Sequence, residues 1–383
     1  MSTPLPQQTF HFLQDHQSRI PNSPTLIGLD GFVDTILHVV DKRLSATEFT
    51  RISRMQDYAD RVSQAAGLSA NFEFVTERIK LGGNGPIISH ALLQFGFPLT
   101  YIGCLGHPTI HPVFQDFEKQ AHVISVAEPG LTDAIEFNDG KLMCGKHDSL
   151  RQLSWERILE AIPLPALIQQ CQKSSLIALM NWTMLPHCSS IFEHFLTEVL
   201  PHLEHRPHLF FDLADPAKRT QEDLRDVLHL IKNFQSRCKT TLGVNFNESL
   251  QIGKVLDLPT IKAEPEEVMQ HAEKIRELLE IETVVIHPTR FAAAATRASS
   301  NGDSAPASAW AAGAFTESPK IATGAGDHFN SGFCLGQLLD APLPICLQLG
   351  VSTSGFYVRH AHSPTIQELL EFLDQTKTLN SPS

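Results

Sequence analysis

Near the C-terminal end of this 383-residue chain, Thr323-Gly324-Ala325-Gly326-Asp327 brings together groups suited to moving a phosphoryl group. Glycine lets backbone N–H groups approach a ligand without a Cβ in the way. Phe329, Phe333, Leu335 and Leu338 follow at helical spacing and predict a helix opening at Gly326. The unpaired N–H groups and partial positive charge at such an opening form a cradle for an anion. Asp327 is expected to be ionised at the mouth of that cradle, because the dipole and the N–H groups favour its charged form. It could take the proton of an attacking hydroxyl while the N–H groups of Ala325, Gly326 and Asp327 hold the transferring group. The chemistry indicated is phosphoryl transfer to an alcohol; an ordinary capped helix start would use the same residues.

Other groups of chemical interest stand at predicted strand ends. Thr25 to Leu29 reads as a buried strand running into Asp30-Gly31-Phe32-Val33-Asp34. The carboxylates of Asp30 and Asp34 suit the hydroxyls of a polyol, since carboxylates accept strong hydrogen bonds. Gly82-Gly83-Asn84-Gly85-Pro86 predicts a turn into a helix, with proline early, where its missing N–H costs little. That turn would let the backbone approach a ligand. Asn245-Phe246-Asn247-Glu248 follows another strand and reads either as a polar site or as a helix start with Asn247 as the cap. Thr289 and Arg290 follow a fourth strand and could meet phosphate; Arg219 could do so too, or could begin a solvated helix.

Gly324-Ala325-Gly326-Asp327 with Phe329 and Gly332, preceded far upstream by Gly82-Gly83-Asn84 with Ala91, Leu92, Leu93 and Gly96, resembles the two signatures of the ribokinase-like (PfkB) carbohydrate kinases. The resemblance runs from about Leu26 to about Leu373. It implies a nucleotide-dependent kinase acting on a sugar or sugar-like alcohol, with Asp327 as base and Thr323, Gly324, Ala325 and Gly326 around the phosphoryl group. It assigns Asp34, Gly82, Gly83 and Asn84 to the acceptor and Asn247, Thr289 and Arg290 to the nucleotide. Asn245 and Glu248 would hold Mg²⁺ indirectly, and ATP would be the donor, with ADP as an alternative. The chain departs from the family pattern where Ile87 replaces an asparagine and Ile321 an aspartate. Those departures keep open a catalytically silent sugar- or nucleotide-binding protein, and a nucleoside remains an alternative acceptor. A dinucleotide oxidoreductase is disfavoured, because no G-x-G-x-x-G follows the first strand.

The elements that must position these residues read as strand and helix in alternation beyond Ser149. Strands are expected at 176–180, 209–212, 242–246 and 284–287, and helices near 190–203, 221–234, 266–279, 326–339, 344–358 and 365–374. The alternation predicts an α/β fold with a doubly wound, mainly parallel sheet flanked by helices. The whole chain, 1–383, is expected to be one kinase domain, with a small β lid within about 35–81 and 131–147. In the lid, a strand at 71–81 and a hairpin at 132–144 turning on Asn138-Asp139-Gly140 are expected, with a helix at 48–68. The net charge of −12 argues against nucleic acid or an anionic membrane as partner. Seven scattered cysteines without a C-x-x-C pair fit a cytoplasmic protein with reduced thiols. The family resemblance also implies that lid strands could pair two copies into a homodimer. Ala292 to Ala295 is a small-residue run, and 299–306 reads as an exposed loop.

Overall fold

Thr25-Leu-Ile-Gly-Leu is apolar throughout, the pattern of a strand covered on both faces, and the main sheet is ordered around it. The computed structural model describes residues 3–297 and 307–376, so the loop expected at 299–306 lies outside the described residues. In chain order the strands are β1 (Thr25–Leu29), β2 (Phe32–Arg43), β3 (Phe49–Arg51), β4 (Phe74–Gly82), β5 (Leu99–Gly103), β6 (His122–Ser125) and β7 (Gly130–Phe137). They continue with β8 (Gly140–Lys146), β9 (Leu176–Met180), β10 (His208–Asp212), β11 (Lys239–Asn245), β12 (Thr283–His287), β13 (Phe291–Thr296) and β14 (Ser308–Ala312). Nine of them form one sheet in the order β14-β13-β12-β11-β10-β9-β1-β5-β6. All its pairings are parallel except β12–β13 and β13–β14. Helices cover both faces over two large apolar clusters, one on each side of the sheet.

The chain leaves β1 towards β5 and β6, then returns to β9 on the other side of β1. Strand order therefore reverses beside β1, and a doubly wound sheet opens a crevice at the C-terminal strand ends there. Asp30, Asn181, Asp212, Asn245 and His287 all stand at those ends.

A second sheet of five strands, β3-β2-β7-β8 with β4 on the other edge of β2, spans the residues where the lid is expected. Its hairpin and the strand leading to Gly82 lie where the sequence places them. The long lid helix does not. Phe49 to Arg51 pairs with the end of β2, the Ile52 N–H donates to the Val39 carbonyl, and the helix occupies only Met55–Gln64. Phe49, Thr50 and Ile52 favour extended backbone, and a free edge of β2 was there to receive it. The Asp139 carboxylate accepts from the Met55 N–H at 2.9 Å and so marks where the helix starts.

The alanine run is a strand as well. Ala292 to Ala295 lies in β13 and is at most 1% exposed. Alanine is a poor strand former, but here two helices, Pro265–Leu279 and Leu343–His360, pack against β13 and leave room for little more than a methyl group. An overpacked side chain in such a site typically costs about 1–3 kcal/mol. Ala294→Leu should therefore lower the urea midpoint with little change in m-value; an unchanged midpoint would show that the helices do not set this spacing.

Candidate active site

Asp30 is 0% exposed, and its carboxylate accepts three hydrogen bonds. Oδ2 accepts from the Asn84 N–H at 2.9 Å and from Asn181 Nδ2 at 2.7 Å, and Oδ1 accepts from the Gly85 N–H at 2.8 Å. These bonds tie the end of β1 to the start of the Asn84–Phe95 helix. The expectation that Asp30 grips acceptor hydroxyls is corrected: its carboxylate is wholly buried and accepts three hydrogen bonds from protein, which make it the anchor of that helix. The glycine pair exists for the same reason. A Cβ on Gly83, whose φ is +98°, would meet Asp30 Oδ2 at 2.8 Å, and one on Gly82 would meet the Asp34 carboxylate at 2.6 Å.

Asp34 is 6% exposed and sits on β2 opposite Lys80 of β4 and Thr132 of β7. Burial raises its pKa, and the neighbouring Lys80 charge and the Thr132 hydroxyl pull it back. The Gly82-Gly83-Asn84 turn leads from Asp34 to Asp327: Asn84 Nδ2 donates to Asp327 Oδ1 at 3.0 Å. Asp34, Gly82, Gly83, Asn84 and Asp327 thus form one contiguous group, in which the Asn84–Asp327 bond joins residues 243 positions apart.

The signature turn has the predicted form. Gly324 is left-handed (φ +90°) and the helix begins at Ala325. Among the described residues, the N–H groups of Gly324, Gly326 and Asp327 have no protein acceptor, whereas that of Ala325 closes a turn on the Ala322 carbonyl at 3.2 Å. The free donors of the cradle are therefore Gly324, Gly326 and Asp327, and Ala325 is not among them.

The electrostatics overturn a second expectation. Asp327 is 8% exposed, and its pKa is raised well above the usual carboxylate range. Burial is the main cause, followed by the charges of Asp212 and Asp30 and, further down, Glu248; only the Asn84 amide opposes them. One helix end cannot outweigh desolvation plus several like charges. Asp212, at the end of β10, is pushed up to about 6 by burial despite bonds from the Ala214 N–H and Asn330 Nδ2. Glu248 is pushed up to about 9 by burial and by Asp212.

Asn245 and Glu248 form a reciprocal cap: the Glu248 N–H donates to Asn245 Oδ1 at 3.0 Å and the Asn245 N–H donates to Glu248 Oε2 at 2.8 Å. The capping residue is Asn245, not Asn247. No group of three His, Cys, Asp or Glu side chains with metal-ligand geometry occurs among the described residues. The carboxyls are nonetheless hard oxygen donors crowded by like charge, and Asn330 Oδ1 is buried without a partner. That donor chemistry fits Mg²⁺ held through waters and phosphate oxygens near Asp212 and Glu248.

On the other side of the signature helix lies a cleft of about 580 Å³, lined by Asn245, Thr289, Phe291, Phe315, Gly326 and Phe329 among others. A neighbouring cleft of about 620 Å³ shares Asn245 and Thr289 and adds Asn247 and Arg290. The Arg290 guanidinium lies 3.8 Å over the Phe315 ring at the edge of this space. Arg219, by contrast, donates to the carbonyls of Trp182, Thr183 and Leu185 and covers the Trp182 ring, so it is a structural clasp and no phosphate ligand.

Two residues of the cluster escaped the sequence reading. Asn181, left-handed at the end of β9, holds Asp30; Asn330 holds Asp212. Asn330 follows Asp327 by three residues on an apolar helix face, and a buried amide there is a signal the spacing alone could have given.

The sheet, its reversal point and the lid define a ribokinase-like fold. Solved structures agree: a probable sugar kinase from Rhizobium etli CFN 42 superposes with TM-score 0.63 at 14% identity, covering 93% of this chain and 99% of that one. Arabidopsis thaliana ribokinase, solved with ribose and ATP, gives 0.60 at 12% identity, covering 92% and 98%. The family model for prokaryotic ketohexokinase matches residues 8–376, and the chain belongs to that family. A ketohexokinase from Haloferax volcanii is 26% identical over 357 residues, 92% of each chain. The protein is thus a carbohydrate kinase that phosphorylates a sugar or sugar-like alcohol at the expense of a nucleotide.

The raised carboxyls set a pH dependence. Glu248 keeps its proton up to about 9 in the folded chain, whereas an unfolded glutamate loses it near about 4.3. The folded state therefore binds a proton that the unfolded chain releases, and stability falls as pH rises through this interval. The melting temperature of nucleotide-free protein should drop between about pH 5 and 9, and Glu248→Gln should make the drop shallower. An equal slope in both proteins would contradict this placement of Glu248.

Proposed function

We propose that this kinase transfers the γ-phosphoryl group of ATP to a primary hydroxyl of a ketohexose, with Asp327 as the base. The observation that carries the reading is the position of the Thr323–Asp327 turn. It has the nucleotide-sized cleft on one side and, through Asn84, the Asp34 group on the other. The ketohexose is suggested by the family match and by the Haloferax volcanii relative.

The apolar lining of the cleft, including Phe291, Phe315 and Phe329, suits a nucleobase, with Thr289, Arg290 and Asn247 towards its polar end. The N–H groups of Gly324, Gly326 and Asp327 would take the phosphoryl oxygens, where negative charge spreads in the transition state. When bound, Mg²⁺ supplies positive charge for the phosphates beside Asp212 and Glu248. Asp34 and Asn84 would orient the sugar, whose attacking hydroxyl takes the place of the Asn84 amide on Asp327. A base with a raised pKa is matched to a proton that leaves late from an alcohol. The lid over Asp34 excludes water, which limits hydrolysis of the donor. The free thiols of all seven cysteines fit a cytoplasmic setting, and no helix among the described residues is long and apolar enough to cross a membrane.

Asp327→Asn should lower kcat by several decades with little change in sugar KM, in a coupled assay across ketohexoses, pentoses and nucleosides with ATP and with ADP. Near wild-type turnover in that variant would remove the mechanism, and activity on nucleosides alone would replace the acceptor. A second copy of the chain is proposed to pair through the lid, where Ile79, Leu131 and Leu142 share one face and are 56%, 43% and 39% exposed. Sedimentation should then give a dimer that Leu131→Asp dissociates; a wild-type monomer at micromolar concentration would exclude the contact.

A further inference from the structure

The signature turn separates two spaces. Ala325 and Gly326 line the nucleotide-sized cleft. The carbonyl side of the turn faces a smaller cavity of about 310 Å³ lined by Ile87, His90, His328, Tyr357 and Ser363, among others. The carbonyls on that side are held by two aromatic side chains that the phosphoryl-transfer scheme does not use. Tyr357 OH donates to the Thr323 carbonyl at 3.0 Å. His328 Nδ1 lies 2.7 Å from the Gly324 carbonyl oxygen. The two rings stack with centroids 3.5 Å apart and planes within 13°.

The proton positions follow from the partners. A carbonyl only accepts, so Nδ1 of His328 carries the proton. Burial keeps this imidazole neutral, with its pKa pushed down to about 3, so Nε2 has a free lone pair. Nε2 lies 2.8 Å from Ser363 Oγ, and that hydroxyl donates to it. The Ser363 oxygen in turn accepts from Nδ1 of His90 at 3.1 Å. A single directed chain thus runs from His90 through Ser363 and His328 to the Gly324 carbonyl. His90 belongs to the Asn84–Phe95 helix, whose first residue holds Asp327. The chain ties the acceptor-side helix to the phosphate-side turn behind the reacting groups.

We propose that His328 and Tyr357 are positioning residues that aim and strengthen the anion cradle, with Ser363 and His90 orienting His328. The proposal rests on the reading of Thr323–Asp327 as the phosphoryl cradle. Thr323 C=O and Gly324 N–H are the two ends of one peptide group. A hydrogen bond to the carbonyl end polarises the amide and makes its free N–H a better donor. The Gly324 carbonyl also accepts the His328 backbone N–H at 3.0 Å, and the side-chain bond from His328 adds a second restraint on the orientation of Gly324, whose left-handed backbone (φ +90°) glycine alone would not hold in one setting. The cradle donates most strongly to charge that develops on the phosphoryl oxygens, so the clamp acts on turnover more than on ground-state binding.

His328→Phe keeps a ring stacked on Tyr357 and removes both hydrogen bonds; Tyr357→Phe removes one bond and keeps the stack. Each should lower kcat, His328→Phe by about 10- to 100-fold and Tyr357→Phe by about 3- to 10-fold, the scale of one or two hydrogen bonds. The sugar KM should stay within about twofold. His328→Asn, whose amide nitrogen can still reach the Gly324 carbonyl, should recover most of the kcat lost in His328→Phe, and Ser363→Ala should lose less than His328→Phe. Asp327→Asn, run alongside, separates the two claims: if it is near wild type, the cradle reading fails first. With Asp327→Asn inactive, a kcat within twofold of wild type in both Phe variants overturns the clamp. So does a loss in His328→Phe that His328→Asn does not recover, or one that appears in the sugar KM instead of kcat. Should His328→Phe fail to fold, Tyr357→Phe and His328→Asn decide alone: unchanged kcat in Tyr357→Phe, or His328→Asn as impaired as Asp327→Asn, is contrary.

Discussion

Four carboxyl groups, those of Asp30, Asp212, Glu248 and Asp327, are buried around the C-terminal ends of the central strands, and each has its pKa raised. Burying like charges together is among the least favourable things a fold can do. Every one of these groups is met by a hydrogen-bond donor drawn from elsewhere in the chain. Asn84 and Gly85 backbone groups and the Asn181 amide meet Asp30, Asn330 meets Asp212, the Asn245 backbone meets Glu248, and the Asn84 amide meets Asp327. Much of the local architecture, including the Gly82-Gly83 turn, the left-handed Asn181 and the reciprocal cap at Asn245, exists to make these contacts. On the proposed reading, that cost is offset by the cation that accompanies a nucleotide's phosphates.

That constraint explains how roles divide among acids that look alike in sequence. Asp30 is wholly buried, accepts three hydrogen bonds from protein and is an anchor. Asp34, four residues on, lies on β2 with a lysine opposite it, and on the proposed reading it meets the acceptor. Asp327 has a single side-chain partner, an amide that a hydroxyl can replace. The number of donors already in place separates structural from chemical function here better than burial does, since all three are less than 9% exposed.

The sequence made the parallel sheet, the signature turn and the lid hairpin legible, because each follows from local pattern: apolar runs of strand length, glycines before a helix, and Asp-Gly between alternating segments. It misassigned what depends on partners distant in the chain. Phe49 to Ile52 has helical periodicity with Met55 and Tyr58, yet an open edge of β2 takes it as a strand. Ala292 to Ala295 lacks strand propensity, and only the helices packed on it explain β13. The ionisation of Asp327 was misjudged because its helix end is visible in sequence, whereas Asp212 and Glu248, 115 and 79 residues away, are not visibly its neighbours. Asn181 and His328 stayed hidden for the same reason.

On the proposed reading, a sugar hydroxyl and a nucleotide's terminal phosphoryl group meet at Asp327, beside the free N–H groups of the turn. A crystal structure with fructose and a non-hydrolysable ATP analogue tests it most directly. The account predicts γ-phosphoryl oxygens within hydrogen-bond distance of the Gly324 and Gly326 N–H groups, a primary hydroxyl on Asp327 in place of the Asn84 amide, and further hydroxyls on Asp34. A γ-phosphoryl group bound away from the turn, or a sugar whose primary hydroxyls do not reach Asp327, would contradict it.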